Sequence, residues 1–238
     1  MLATEPHGPA MNSGLRNDLV ASDGPLAGQT LRVVEPVGGG CIHQAWSLTL
    51  DDGQRLFAKT GGPEALALFS VEAEALSALH AYADQELLVI PRPLVTTKLS
   101  HGAVLLLPWL EFAGSDQRAL GRGLARLHRA SADASSGRFG WQRDGFIGAG
   151  PQPGGWRERW GDCFVELRLI PQLNLLGSLR DDAPSLMVLL ERLKAHLNRH
   201  DPIPSLVHGD LWGGNAGSLA DQRGCLFDPA SWWADREV

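Results

Sequence analysis

The hydrophobic period changes partway along this chain, and that change limits what it can fold into. LRVVEPV leads into Gly38-Gly39-Gly40, after which Ile42, Trp46, Leu48 and Leu50 recur at period two. Asp51-Asp52-Gly53 has hairpin chemistry, and QRLFAKT returns as a third strand. Beyond Pro63 the spacing becomes helical, with Leu68, Ala75, Leu76 and Leu79 on one side of residues 64–82. PRPLVTTKLS and GAVLLLPWL then read as another strand pair. From residue 116 the pattern is mainly helical. Leu120, Leu124 and Leu127 mark one helix over 116–130, an irregular Gly-rich stretch follows, and residues 156–180 read as a long amphipathic helix kinked at Pro171. A further helix spans 184–199 and ends at Asp201-Pro202, before a short strand-and-loop region from Leu206. Consecutive strands joined by tight turns favour an antiparallel sheet, so the fold class is α+β.

This pattern divides the chain into a tail at 1–15, a sheet-rich lobe at 16–110 and a helix-rich lobe at 111–238. The tail is expected to be disordered. With 238 residues, 44% hydrophobic and 20% charged, the chain can bury a core. Its formal charge of −6 is the wrong sign for a general binder of nucleic acid or anionic membrane. Three widely spaced cysteines, Cys41, Cys163 and Cys225, form neither a zinc ribbon nor a disulfide framework. A polar N-terminus without a basic start, and apolar runs too short to span a bilayer, complete an expectation of a reducing, cytoplasmic setting.

The segment VHGDLWGGNAG carries His208, Asp210 two residues on, and Asn215 five further. Phe227-Asp228-Pro229 follows. This His-x-Asp, Asn, Asp order is the layout of kinase-type phosphoryl-transfer sites. Such chemistry needs one carboxylate to take a proton from an attacking hydroxyl, and Asp210 fits. It also needs hard oxygen ligands for Mg²⁺, which Asn215 and Asp228 supply. Asp, Asn and Gly also crowd into ordinary turns, so the motif alone leaves a plain loop open.

Two features upstream bear on that choice. Gly38, Gly39 and Gly40 between two strands would let backbone N–H groups approach a phosphate without a Cβ in the way. Lys59, one of only three lysines, ends the third strand, where a kinase places its phosphate-binding lysine. Glu72 lies four residues from both Leu68 and Leu76, on the inward stripe, whereas Glu74 is about 200° around the helix with Ser70 and Ser77. A carboxylate facing inward requires a cation, and Lys59 is the natural partner. The alternative is that Glu72 reaches solvent from the edge of the stripe.

Other residues keep two readings. Cys41 beside the Gly triplet is either a small apolar filler or a thiol whose modification would block phosphates. His43 reads as a strand surface residue. His208 either contacts substrate or, as we favour, holds its loop through backbone hydrogen bonds. Trp212 can floor a pocket by stacking on a sugar or amine, or can pack in the core.

The strings GGGCIHQAW, FAKT, VEAEALSAL, FGWQRDGFIGAGPQPGGWRERWGDCFVELRLIPQL, VHGDLWGGNAG and FDPASWWADREV are collinear over most of residues 31–238. Together they resemble the fructosamine kinase (ketosamine-3-kinase) family. The resemblance implies a two-lobed protein-kinase-like fold and ATP-dependent phosphorylation of the third-carbon hydroxyl of ketoamines. Ribulosamine, erythrulosamine and fructosamine on glycated proteins or small molecules are the substrates so implied, and deglycation is the outcome. Carried over by position, Asp210 is the base, Asn215 and Asp228 hold Mg²⁺, and Gly38 to Gly40 and Lys59 with Glu72 meet the ATP phosphates. Pro108, Trp109 and Leu110 join the nucleotide-binding residues, Trp212 faces the substrate, and His208 and Asp235 support the catalytic loop.

The chain departs from the family pattern at Gly145 and Gly154, where the family has Asn. The family pattern also continues past DREV with further helices, so the chain is expected to be truncated or a fragment, with Trp232 and Trp233 exposed. Two other functions remain open: a phosphotransferase for another small hydroxyl substrate, such as an amino sugar or aminoglycoside, and a non-catalytic nucleotide-binding copy.

Overall fold

The structure, a computed structural model, describes residues 10–38, 43–113, 117–175 and 183–238. They form two compact units, dividing at Ala73/Glu74, Ile90/Pro91 and Glu111/Phe112. The third division lies one residue from the expected 110/111 boundary. The first is new, because it cuts a helix and assigns residues 74–90 to the second unit.

The first unit starts with helix α1 (Ser13–Val20), followed by β1 (Leu31–Val37), β2 (Gln44–Leu50) and β3 (Arg55–Gly61). Helix α2 (Ala65–Tyr82) and the two-residue strand β4 (Leu88–Val89) lead to the hairpin β5 (Val95–Leu99) and β6 (Gly102–Pro108). The unit's five strands are antiparallel in the order β1-β2-β3-β6-β5. Gly53 turns the β2–β3 hairpin at φ +86°, a conformation open to glycine. Along β3, Leu56, Ala58 and Thr60 are buried, while Phe57 and Lys59 point to the opposite face at period two. The fully buried Trp46 indole donates to Thr60 Oγ1 at 2.7 Å, which satisfies its only polar atom.

The expected tail at 1–15 is corrected over its described part. Asn12 caps α1 by accepting from the Leu15 N–H at 3.2 Å, and Met11, Leu15 and Leu19 lie in one core with Trp46, Leu48, Leu50 and Leu56. Leu15 and Leu19 are four residues apart, so one face of this short helix is apolar.

The second unit contains α3 (Arg118–Asp133), the short strands β7 (Phe139–Trp141), β8 (Gly145–Ile147), β9 (Gly150–Gln152) and β10 (Gly155–Arg157), and helices α4 (Trp160–Phe164), α5 (Ile170–Leu175) and α6 (Ala183–His200). Strands β11 (Ser205–Val207), β12 (Ala216–Ser218), β13 (Gly224–Leu226) and β14 (Trp232–Ala234) complete it. Three small sheets result: β10-β7-β14-β11, β12-β13-β4 and β8-β9. The stretch expected to be irregular is therefore four strands. The expected helix at 156–180 starts later, at Trp160, and its kink is a π-turn over Val165–Leu169, where the Ile170 N–H reaches the Val165 carbonyl. Pro171 has no N–H to continue the ladder, which accounts for a widened turn just before it.

Trp232 is also corrected. It is buried at 5% exposure and stacks on Trp160 at 5.6 Å, and the Arg168 guanidinium lies over its ring at 4.1 Å. Trp233 is half-buried and meets Tyr82 edge-on. The assignment of α1 to the core has a direct test. Leu15→Ala is expected to lower unfolding free energy in urea by about 2–4 kcal/mol, as for a buried leucine, whereas a change below about 0.5 kcal/mol would return this segment to a tail.

Candidate active site

In the first unit, β3 places Lys59 between Ala45 of β2 and Leu105 of β6. Its Nζ lies 2.7 Å from Glu72 Oε1 and 2.8 Å from Oε2, and both side chains are largely buried. Helix phase therefore selects Glu72, not Glu74, as the partner. Glu74 lies on the more exposed side of the helix, as expected, but it is paired. Arg143 donates to it through Nε at 2.6 Å and Nη2 at 2.5 Å, and Gln142 donates to its other oxygen. Helix phase sets Glu74 apart with Ser70 and Ser77 and assigns it no partner, because it carries no information about a loop 69 residues away.

Gly38 is exposed just beyond β1, and a Cβ there would meet open space. Gly39, Gly40 and Cys41 lie outside the described residues. Pro108 ends β6, and Trp109 and Leu110 follow, half-exposed. The Trp109 indole donates to Glu111 Oε1 at 2.8 Å, and the Arg55 guanidinium stacks on it at 4.1 Å while pairing with the same carboxylate at 2.5 Å.

The second unit brings the remaining candidates together. The loop from His208 to Asn215 joins β11 to β12, and Asp228 follows β13. Gly209 takes φ +82°, and a Cβ there would lie 2.0 Å from the Ala230 carbonyl oxygen, so this position requires glycine. His208 is buried, with Nε2 2.9 Å from the Phe227 carbonyl oxygen and Nδ1 accepting the Asp210 N–H at 3.3 Å. Those partners fix the neutral tautomer protonated at Nε2. Burial pushes the imidazole below its ordinary range, although the Phe227 carbonyl and the carboxylates of Asp210 and Asp228 pull the other way.

Asn215 is 5% exposed. Its Nδ2 donates to the Asp210 carbonyl at 2.9 Å and to Asp210 Oδ2 at 3.0 Å, and its own carbonyl accepts the Phe227 N–H at 3.1 Å. With Nδ2 held there, Oδ1 is the side-chain oxygen left for a cation. Asp228 adopts φ +59°, a left-handed conformation that Asp tolerates better than most residues.

Among the described residues no cluster of three or more His, Cys, Asp or Glu could hold a metal. One amide oxygen and one carboxylate are hard donors, too few for an all-protein cage. That set fits Mg²⁺, which takes its remaining oxygens from water and phosphate. Trp212 is 61% exposed and covers Gly214, where a Cβ would fall 2.2 Å from the indole, so the core reading of Trp212 is excluded. Asp235 is buried but does not bond the 208–215 loop. Its carboxylate holds His200 Nε2 at 2.9 Å and the Glu237 N–H at 3.2 Å. Any support it gives runs through the adjoining β14, which pairs with β11.

The fructosamine kinase family profile matches residues 20–238. The chain belongs to the fructosamine kinase family. Among curated relatives, a probable ketoamine kinase of Synechocystis sp. is 37% identical over 216 residues, covering 89% of this chain and 71% of its own length. A chloroplastic protein-ribulosamine 3-kinase of Oryza sativa subsp. indica is 32% identical over 211 residues, covering 86% of this chain and 60% of its own. A crystal structure of a Haemophilus somnus 129PT protein assigned as a fructosamine-3-kinase aligns at TM-score 0.78 and 22% identity, covering 94% of this chain and 74% of the other. At that identity the likeness shows the fold, which is α+β and protein-kinase-like.

Two consequences can be measured on the folded protein. Glu72→Ala removes the carboxylate from a buried pair and is expected to cost about 3–5 kcal/mol. Glu74→Ala breaks a more exposed one and is expected to cost about 0.2–1 kcal/mol. Urea unfolding of the two variants separates them. For His208 the sign follows from its lowered native pKa: between the folded and unfolded values the unfolded state binds more protons. The stabilisation is therefore complete above the ordinary imidazole value of 6.5 and is lost as pH falls below it. Melting temperature measured from pH 7.5 down to 5 is expected to fall, and less steeply in His208→Gln.

Proposed function

We propose that this chain transfers the γ-phosphoryl group of ATP to the third-carbon hydroxyl of ketoamines, on glycated proteins and on small molecules, and so promotes deglycation. The names of its curated relatives support that substrate class. The observation that carries the reading is the Asp210–Asn215 bond. It holds the carboxylate of the proposed base by one oxygen and turns the amide oxygen of the proposed metal ligand away from it.

In this reading the half-buried Asp210 accepts a hydrogen bond from the attacking hydroxyl and takes its proton as the bond to phosphorus forms. Lys59, oriented by Glu72, meets the phosphates, and Gly38 to Gly40 offer backbone N–H groups to them. Pro108, Trp109 and Leu110 line the nucleotide. Because the Trp109 indole is already engaged by Arg55 and Glu111, main-chain groups are the proposed contacts there. Bound between Asn215 and Asp228, Mg²⁺ would neutralise charge on the phosphates. The exposed indole of Trp212 is free to stack on the sugar or its amine.

The proposed setting is the cytoplasm, with neither nucleic acid nor membrane as a partner. The formal charge of −6 supports the exclusion of nucleic acid and anionic membrane surfaces. Cys163 and Cys225 are free and buried, and burial pushes their thiols up to about 11 and about 12, so neither is a ready nucleophile.

The test is ADP release on incubation with ATP, Mg²⁺ and a peptide carrying a ribulosamine. Turnover that depends on the ketoamine is expected. Asp210→Asn should reduce it by about 10²–10⁴-fold, the usual contribution of a general base, while keeping nucleotide-induced thermal stabilisation. Full activity in that variant would remove Asp210 from its role. ADP release with an aminoglycoside but no ketoamine would reassign the substrate.

A further inference from the structure

Phe112 is the first residue of the second unit and is 50% exposed, yet it is held by three separate features, one through its backbone and two through its ring. Its backbone bridges to Leu219, and the next N–H, from Ala113, reaches the Ser218 carbonyl at 3.2 Å, which ties this segment to the edge of β12. The ring lies over Gly217, where a Cβ would come within 2.7 Å of it. Its third contact is edge-to-face with Phe227, with centroids 5.5 Å apart and planes at 65°.

Phe227 is the residue through which the proposed catalytic groups are joined. Its carbonyl accepts from His208 Nε2, its N–H donates to the Asn215 carbonyl, and the next residue is Asp228 in the left-handed region. Phe227 is only half-buried, so its own burial does not fix it. A shift of its backbone would disturb His208, Asn215 and Asp228 together.

We propose that Phe112 is a positioning residue: seated on the bare backbone of Gly217, it fixes Phe227 and thereby the placement of Asp228 relative to Asn215. The link to metal rests on the function proposed above, whereas the link to Phe227 does not. A substitution that frees the ring of Phe227 loosens the Phe227–Asn215 hydrogen bond before it loosens the sheets. The same variant weakens Mg²⁺ use by separating the two oxygen donors, not by altering either of them. Gly217 belongs to the device, since any larger residue there displaces the Phe112 ring.

The test uses the full chain with Phe112→Ala, Phe112→Leu and Gly217→Ala. Native-state amide exchange is read first, without nucleotide or metal. In Phe112→Ala the Phe227 amide is expected to exchange about tenfold faster, while the amides of β11 keep their protection. Gly217→Ala should reproduce that pattern, and Phe112→Leu should restore most of it. In the turnover assay, the Mg²⁺ concentration giving half-maximal rate should rise several-fold in Phe112→Ala and Gly217→Ala and return towards normal in Phe112→Leu. Unchanged exchange at Phe227 in both Phe112→Ala and Gly217→Ala would overturn the proposal. So would equal loss of protection in β11 and at Phe227, since that marks general destabilisation. Should Phe112→Ala fail to fold, the Gly217→Ala and Phe112→Leu pair decides between these outcomes. If the wild-type chain shows no kinase turnover, the function fails while the exchange result still decides the role of Phe112.

Discussion

A neutral, buried imidazole sets the geometry of the second unit's loops. His208 donates from Nε2 to the Phe227 carbonyl and accepts the Asp210 N–H at Nδ1. It thus joins the segment carrying Asp228 to the segment carrying Asp210. A protonated ring would present two donors, and Nδ1 could no longer accept an N–H. A neutral ring in this place depends on burial, which itself depends on Gly209. Without a Cβ, the chain passes against the Ala230 carbonyl at a distance no other residue allows. The Ala230 N–H in turn donates to the His208 carbonyl at 3.0 Å. The constraint therefore runs from one glycine to a tautomer and from the tautomer to two carboxylates.

Much of this was legible in the sequence where the governing rule is local. Strand period and helix phase are set by backbone geometry, so Lys59 and Glu72 could be paired from residue spacing alone. The Glu74–Arg143 pair, 69 residues apart, could not, because spacing says nothing about which distant loop meets a helix. Helix α1 was hidden for a different reason. Eight residues carry too little amphipathic pattern, and its apolar face makes sense only against the sheet. Asp235 was assigned by position to the catalytic loop, yet its carboxylate bonds His200, a partner that only the packing of α6 reveals.

Gly145 and Gly154, the two positions where the sequence is expected to depart from the family pattern, fall in the short strands of the second unit or beside them. At Gly154 the reason is steric. A Cβ would lie 2.2 Å from the Arg143 carbonyl carbon, and the Gly154 N–H donates to Asp144 Oδ1 at 2.8 Å. In this chain the turn closes by backbone approach, and the side chain that anchors it belongs to Asp144. At Gly145 the structure offers no comparable explanation.

Arg168 shows how so many short elements hold together. Its side chain is half-buried and, among the described residues, bonds no carboxylate. Nη1 donates to the carbonyls of Pro153 and Leu167 at 2.8 and 2.9 Å. With the Gln152 amide oxygen turned towards it, Nε and Nη2 donate there at 3.2 Å. Its flat face covers Trp232, which stacks in turn on Trp160. Burial lowers its pKa to about 10, so it stays charged at neutral pH. A planar cation with five donors can collect carbonyls left unpaired around a strand end and a π-turn, which a lysine in that place could not do. Small sheets and a broken helix leave such carbonyls by their nature. One half-buried guanidinium answers two of them, and its stacking on Trp232 carries that order to β14, the neighbour of the strand that leads into His208.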